Sequence, residues 1–310
     1  MLNLSACVQS EGQLPQGGSL KQEAFILSLD TGHPSSPTDF YVWHSDRPCP
    51  ACPIVLFSHG AFSAPDKYTR LFDDWTGAGM TIIAPLHVDS RSHPRHDAFK
   101  GNAQLRARLA DVAMASAAIA GEENIFGLDP ASDRKIVVAG HSFGALVAQI
   151  AAGASVEGEA GTPIKLALDG MKFPLGVIAI SPPGSIAGYT SAEGWSPIRS
   201  PMLVATGTHD VVPGFAPNWS DHLASHEAVM EARSVALIFE GMDHYFNGAY
   251  GRLQDLSADD ELALGQLNAE IVSFAKHVAS QPKASEIWTA NDHKAVEIRV
   301  NPRISEGDDK

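Results

Sequence analysis

Six short runs of the chain are almost continuously apolar: Ile54 to Phe57, Thr81 to Ala84, Lys135 to Ala139, Gly176 to Ile180, Met202 to Ala205 and Val235 to Phe239. A strand with one wet face alternates polar and apolar residues, whereas a run like these is expected where both faces are covered. Helical patterns separate most of the runs, over Tyr68 to Gly77, Asn102 to Ala120, Phe143 to Ala152, Leu223 to Arg233 and Glu261 to Ser280. Strands alternating with helices form βαβ units, so the pattern predicts an α/β fold: a mostly parallel central sheet with helices on both faces. Upstream, Ala24 to Leu29 and Asp39 to His44 flank the turn-rich segment Thr31 to Thr38. They read as a pair of antiparallel N-terminal strands. The division expected is an N-terminal arm over 1–20, one domain over 21–280 and an extension over 281–310. In that extension Ala295 to Val300 is strand-like.

A hydrophobic fraction of 44% with 19% charged residues excludes general disorder for this chain of 310 residues. The net charge of −14 disfavours nucleic acid and anionic membrane as partners. No stretch reaches the roughly 18–20 apolar residues of a membrane span. Leu4-Ser5-Ala6-Cys7 has the form of a bacterial lipoprotein box, but only Met1-Leu2-Asn3 precedes it. Localisation is open between the cytoplasm and a cell envelope reached through a trimmed lipoprotein signal. Cys49-Pro-Ala-Cys52 is followed by Pro53 and a strand, not by the helix a redox site needs. It reads as a small loop disulfide or as two free thiols.

The chemistry is concentrated in Gly140-His141-Ser142-Phe143-Gly144, between a strand and a helix. A serine on such a turn has a crowded backbone, so small residues must flank it. A hydroxyl needs a base to become a nucleophile. Thr206-Gly207-Thr208-His209-Asp210 follows one later strand, and Glu240-Gly241-Met242-Asp243-His244 follows the next. Asp210 and His244 therefore leave the sheet at the edge that carries Ser142. Of the 13 histidines, only His244 comes directly after the final run. His209 precedes that strand, and His222 and His226 fall in or beside a predicted helix. The expected catalytic set is Ser142, Asp210 and His244. The expected oxyanion donors are the amides of Phe143 and Ala61, the latter in the turn Ser58-His59-Gly60-Ala61-Phe62.

These motifs resemble the α/β-hydrolase superfamily. Phe57-Ser58-His59-Gly60 and the elbow with Phe143 are similar to a narrower branch of esterases, related to dienelactone hydrolases, chlorophyllases and platelet-activating-factor acetylhydrolases. The resemblance runs over residues 24–280 in element order. It implies an α/β-hydrolase fold with a small cap or none, and cleavage of a small-molecule carboxylic ester through an acyl-enzyme, without metal or cofactor. Dienelactone hydrolases proper use a cysteine, and Ser142 departs from that. A lactone, amide, thioester, polymer ester or C–C bond on the same triad is the alternative, and a non-catalytic binding protein is another. Phe62, His141, Trp195, Phe215, Trp219 and Tyr245 are the candidate substrate pocket. His87, Asp89, His93, His96 and Asp97 form a polar cluster, read as a solvated or substrate-facing loop rather than a metal site. Oligomeric state is left open.

Overall fold

The structure is a computed structural model that describes residues 24–30, 36–47, 49–166, 173–230, 232–280, 288–291, 293 and 295–301. The expected arm over 1–20, with Cys7, lies outside the described residues, as do most of the Thr31–Thr38 turn and parts of the C-terminal extension.

In chain order the elements are β1 (Phe25–Leu29), β2 (Thr38–Trp43), β3 (Ile54–Ser58), α1 (Thr69–Gly77), β4 (Thr81–Pro85), α2 (Asn102–Ala120), β5 (Ile136–His141), α3 (Phe143–Ala151), β6 (Val156–Glu157), β7 (Pro163–Ile164), β8 (Val177–Ile180), α4 (Ala192–Trp195), β9 (Met202–Gly207), α5 (Ala224–Ala228), β10 (Ser234–Phe239), α6 (Ala258–Ser280) and β11 (Val296–Val300). Among the described residues, nine strands form one sheet in the order β1-β2-β4-β3-β5-β8-β9-β10-β11. Pairing is parallel from β4 through β10. It is antiparallel between β1 and β2, β2 and β4, and β10 and β11. All six apolar runs are therefore parallel strands of the sheet, with covered faces.

Alternate residues of each strand feed two separate cores. Ile54, Leu56, Ile136, Val138, Val177 and Ala179 pack with α2 and α3. Val55, Phe57, Val137, Ala139, Ile178 and Ile180 pack with α1 and α6. Full burial of one such Val, Ile or Phe contributes about 1.5–3 kcal/mol, so the two cores fix the sheet between its helices. Trp75 of α1 and Asn268 of α6 are joined by a hydrogen bond of 3.1 Å, which ties the second layer together.

One element differs from the sequence reading. The helix expected over Leu223 to Arg233 is only α5, preceded by a tight turn over Trp219–Leu223. Val229 is extended and fully buried. Asn301 donates to the carbonyls of His226 and Val229, which satisfies the end of the short helix from outside. The C-terminal extension also enters the domain. It supplies β11, and Trp288 packs edge-on against Phe274 of α6 at 5.3 Å between ring centroids. Cys49 and Cys52 form a disulfide, the first of the two readings of that pair.

Candidate active site

Ser142 joins β5 to α3 with φ 55° and ψ −122°, a conformation that costs a non-glycine residue about 1–3 kcal/mol. Its amide bonds to the Ile180 carbonyl at 2.9 Å, and its carbonyl accepts from Ala145 at 2.9 Å. A Cβ on Gly140 would collide with the Gly144 backbone, and one on Gly144 would collide with the carbonyls of Ser58 and His59. The first turn of α3 thus lies directly on the end of β3. Only glycine permits that approach, and it brings the amide of Phe143 beside the His59–Ala61 turn.

Asp210 leaves β9 and is fully buried. Its Oδ1 accepts from His244 Nδ1 at 2.7 Å, and its Oδ2 accepts from Thr206 at 2.9 Å. Burial alone would raise the Asp210 carboxyl. The contacts with His222 and His244 outweigh it and hold the group ionised, well below the usual carboxylate range. The side chain of His244 is 12% exposed. The structure therefore brings Asp210 and His244 together as expected. The ring of His141, the residue before Ser142, is centred 4.8 Å from that of His244, so the elbow and the His244 loop meet at the same end of the sheet.

His141 is buried behind the edge and does not line an open pocket, contrary to expectation. Its Nε2 donates to the His244 carbonyl at 2.8 Å, so its Nδ1 is the acceptor for the Tyr68 hydroxyl at 2.9 Å. That hydroxyl in turn accepts from the Gly60 amide at 3.0 Å. Burial, with His244 nearby, pushes His141 down to about 3, so it works as a neutral link. One chain of hydrogen bonds thus joins the Gly60 turn, the elbow and the loop of His244.

Under the same turn lies Arg108 of α2, fully buried. It grips Asp89 with two bonds of 2.7 Å. It also donates to the carbonyls of His59 at 2.5 Å and Gly60 at 3.1 Å. The Gly60 carbonyl accepts from His59 Nδ1 as well, at 2.8 Å. In a trans peptide the carbonyl and the next N–H point in opposite directions. Fixing Gly60 O toward Arg108 therefore turns the Ala61 N–H away from it. The guanidinium also lies 4.7 Å from the centre of the Phe143 ring, so it braces both expected oxyanion donors. Asp89 is raised by burial, but the Arg108 charge outweighs this and keeps it well below the carboxylate range.

His87 and Asp89 are buried parts of this network, not members of a solvated loop. His87 bonds to Ser58 and Asp111 at 2.8 Å each. His93 is also buried, while His96 and Asp97 are exposed. Trp195 is placed otherwise than expected too. It is 1% exposed in the core and donates to Gln149 of α3 at 3.1 Å, because a buried indole needs an acceptor. Trp219 is half-buried, with Arg299 of β11 over its ring. Phe62 and Phe215 are 57% and 59% exposed on the loops after β3 and β9, and Tyr245 meets the His244 ring edge-on. A cavity of about 280 Å³ lies at the far end of the sheet, beside Cys49, Cys52 and Ile54, and touches none of Ser142, Asp210 and His244.

Among the described residues, Asp210, His222 and His244 have donor atoms near enough to one another for a metal. The spacing is that of hydrogen bonds and ion pairs instead, since His244 Nδ1 and His222 Nε2 stand 2.7 and 2.8 Å from one carboxylate oxygen. No helix among the described residues is long and apolar enough to cross a membrane.

No protein-family model matches the chain, and no curated protein matches it in sequence. Solved structures do match. A native esterase, Est2, of the planctomycete Thermogutta terrifontis aligns with 86% of this chain and 96% of its own, at TM-score 0.56 and 18% identity. That organism's esterase 2 phosphorylated by paraoxon aligns with 81% of this chain and 95% of its own, at TM-score 0.55 and 19% identity. An esterase of Pyrobaculum calidifontis aligns with 82% and 85%, at TM-score 0.53 and 19% identity. With the sheet order above, the likeness establishes the α/β-hydrolase fold.

Proposed function

We propose that the protein is a serine hydrolase that cleaves carboxylic esters through an acyl-enzyme, with Ser142, Asp210 and His244 as its triad. The observation that carries this reading is the 2.7 Å bond from His244 Nδ1 to Asp210, at the sheet edge where Ser142 occupies a strained elbow. Asp210 fixes the tautomer in which His244 Nε2 is the base. His244 takes the Ser142 proton as the hydroxyl attacks the ester carbonyl. The N–H groups of Ala61 and Phe143 receive the developing oxyanion. His244 then protonates the departing alcohol, and water activated by the same nitrogen releases the acid.

Arg108 and Tyr68 hold the Ala61 donor in place without touching substrate. The exposed Phe62 and Phe215 form an apolar rim, which suits an ester with a hydrocarbon acyl or alcohol part. The structural neighbours are esterases by name, one of them phosphorylated by paraoxon, and this supports the same chemistry here. Within the superfamily we favour the dienelactone hydrolase, chlorophyllase and platelet-activating-factor acetylhydrolase branch, on Phe57 to Gly60 and the elbow. The bridged Cys49 and Cys52 favour an oxidising compartment such as the cell envelope.

The test is a burst-phase assay with p-nitrophenyl acetate, butyrate and octanoate, run beside Ser142→Ala. Native protein is expected to turn over at least one ester, and the variant to lose at least about a thousandfold in kcat. Unchanged turnover in the variant would sink the triad. The preferred chain length would size the acyl site.

A further inference from the structure

His222 is the second imidazole on Asp210. It lies in the turn Trp219–Leu223 and is 1% exposed. Its Nδ1 is 2.5 Å from the Pro182 carbonyl, which can only accept. Its Nε2 is 2.8 Å from Asp210 Oδ1, an ion-pair contact rather than an aligned hydrogen bond. A neutral imidazole carries one ring proton. Either neutral tautomer would therefore set a bare lone pair against an oxygen lone pair at contact distance. The doubly protonated ring alone puts a donor against the Pro182 carbonyl and positive charge against the Asp210 carboxylate.

We propose that His222 is a standing imidazolium that shares the Asp210 carboxylate with His244, orients it, and carries the activity of His244 to more acid pH. The proposal rests on the triad reading for its effect on catalysis, but not for the charge itself. The ring of His222 is centred 5.7 Å from that of His244, at 28° between planes. A positive charge there opposes the positive charge that His244 takes on when it accepts the Ser142 proton, so the two rings are coupled across Asp210. The charged and titratable groups around His222 are Asp210 after β9, His244 after β10, His141 at the end of β5 and Asp221 in its own turn. Burial alone would push His222 down, but the Asp210 contact outweighs it and raises it. His222 is thus a positioning residue, because it acts on substrate only through Asp210 and His244.

The experiment has two arms on the full chain. Nitrogen-15 NMR of labelled histidine, assigned by comparison with His222→Gln, reads the protons on His222 directly. At about pH 8, where an ordinary histidine is neutral, both nitrogens of His222 are expected to carry protons. One bare nitrogen there would overturn the proposal. The second arm follows kcat/KM for p-nitrophenyl butyrate against pH, within the range where circular dichroism is constant. Glutamine offers a neutral donor at the same place. The acid-side midpoint of His222→Gln is expected to rise by about one pH unit. An unmoved midpoint with only lower amplitude would mean a structural role and would overturn the catalytic part. The NMR arm needs no turnover, so failure of the ester reading and failure of the His222 charge are separately visible.

Discussion

Arg108 cannot shed its charge, since a guanidinium stays protonated in proteins, so its burial is tolerable only with Asp89 ionised beside it. Removing one partner of a buried pair leaves an uncompensated charge and costs about 3–5 kcal/mol. Asp89→Asn keeps the shape and removes the charge. Urea unfolding should report a loss of that size, and kcat should fall about tenfold or more as the Gly60–Ala61 turn loosens. Unaltered stability would show that the pair is not what holds the turn. The sequence makes the triad legible because each member follows an apolar run, so chain position alone locates it. Arg108 and Tyr68 act on groups far away in the chain, and no local pattern carries that. Arg108 did leave one sign: it falls on the apolar stripe of α2 with Leu105, Val112 and Ala115. A charge on a buried stripe asks for a partner. His222 had no such sign, because its meaning depends on the Pro182 carbonyl and on Asp210, which only the folded sheet brings to it.

At the scale of elements, the parallel strands were readable because burial on both faces writes continuous apolarity into them. β11 was less so. Its sequence, Val296-Glu297-Ile298-Arg299-Val300, does alternate, but it pairs with β10 at the sheet margin and its residues are half-buried or exposed, so it lacks the continuous apolarity of the inner strands. The short hairpin of β6 and β7, two residues in each strand, has no periodicity to read. The extension after α6 nonetheless belongs to the domain. Trp288 is 8% exposed against Phe274 and donates to Ser273 at 3.1 Å, and Asn291 and His293 both reach Glu270. Trp288→Ala should cost about 3–5 kcal/mol, the usual toll for emptying a large aromatic site. Ester turnover at room temperature should persist, since Trp288 packs at Ser273 and Phe274, whereas α6 meets the loop of His244 at its first turn, through Asp260 and Asn247. A variant as stable as the native chain would mean that this segment adds nothing to the core.

For the whole molecule, the buried histidines set the response to acid. Burial pushes His59 and His141 down to about 3 and His226 down to about 4, and His87 lies well below its ordinary value. In the unfolded chain each takes up a proton near 6.5. Between that value and the folded one, the unfolded state binds more protons, so stability falls as pH falls. Each histidine contributes a slope of about 1.4 kcal/mol per pH unit, and four together give about 5 kcal/mol per unit. His222 works the other way: its stabilisation is present below 6.5 and is lost as pH rises through its higher folded value. It offsets one of the four only above the window that matters. Asp89 and Asp210, held low in the fold, stabilise above the ordinary carboxylate value of 3.8 and lose that contribution only below it. Against a total stability of about 5–15 kcal/mol, the histidine term alone should unfold the chain near pH 5, before the carboxylates titrate. Tryptophan fluorescence along an acid titration should find the midpoint there. His226→Gln, which removes one of the four protons, should make the transition shallower and move it to lower pH. A midpoint below about pH 4, in the carboxylate range, would mean that the buried histidines do not govern acid unfolding.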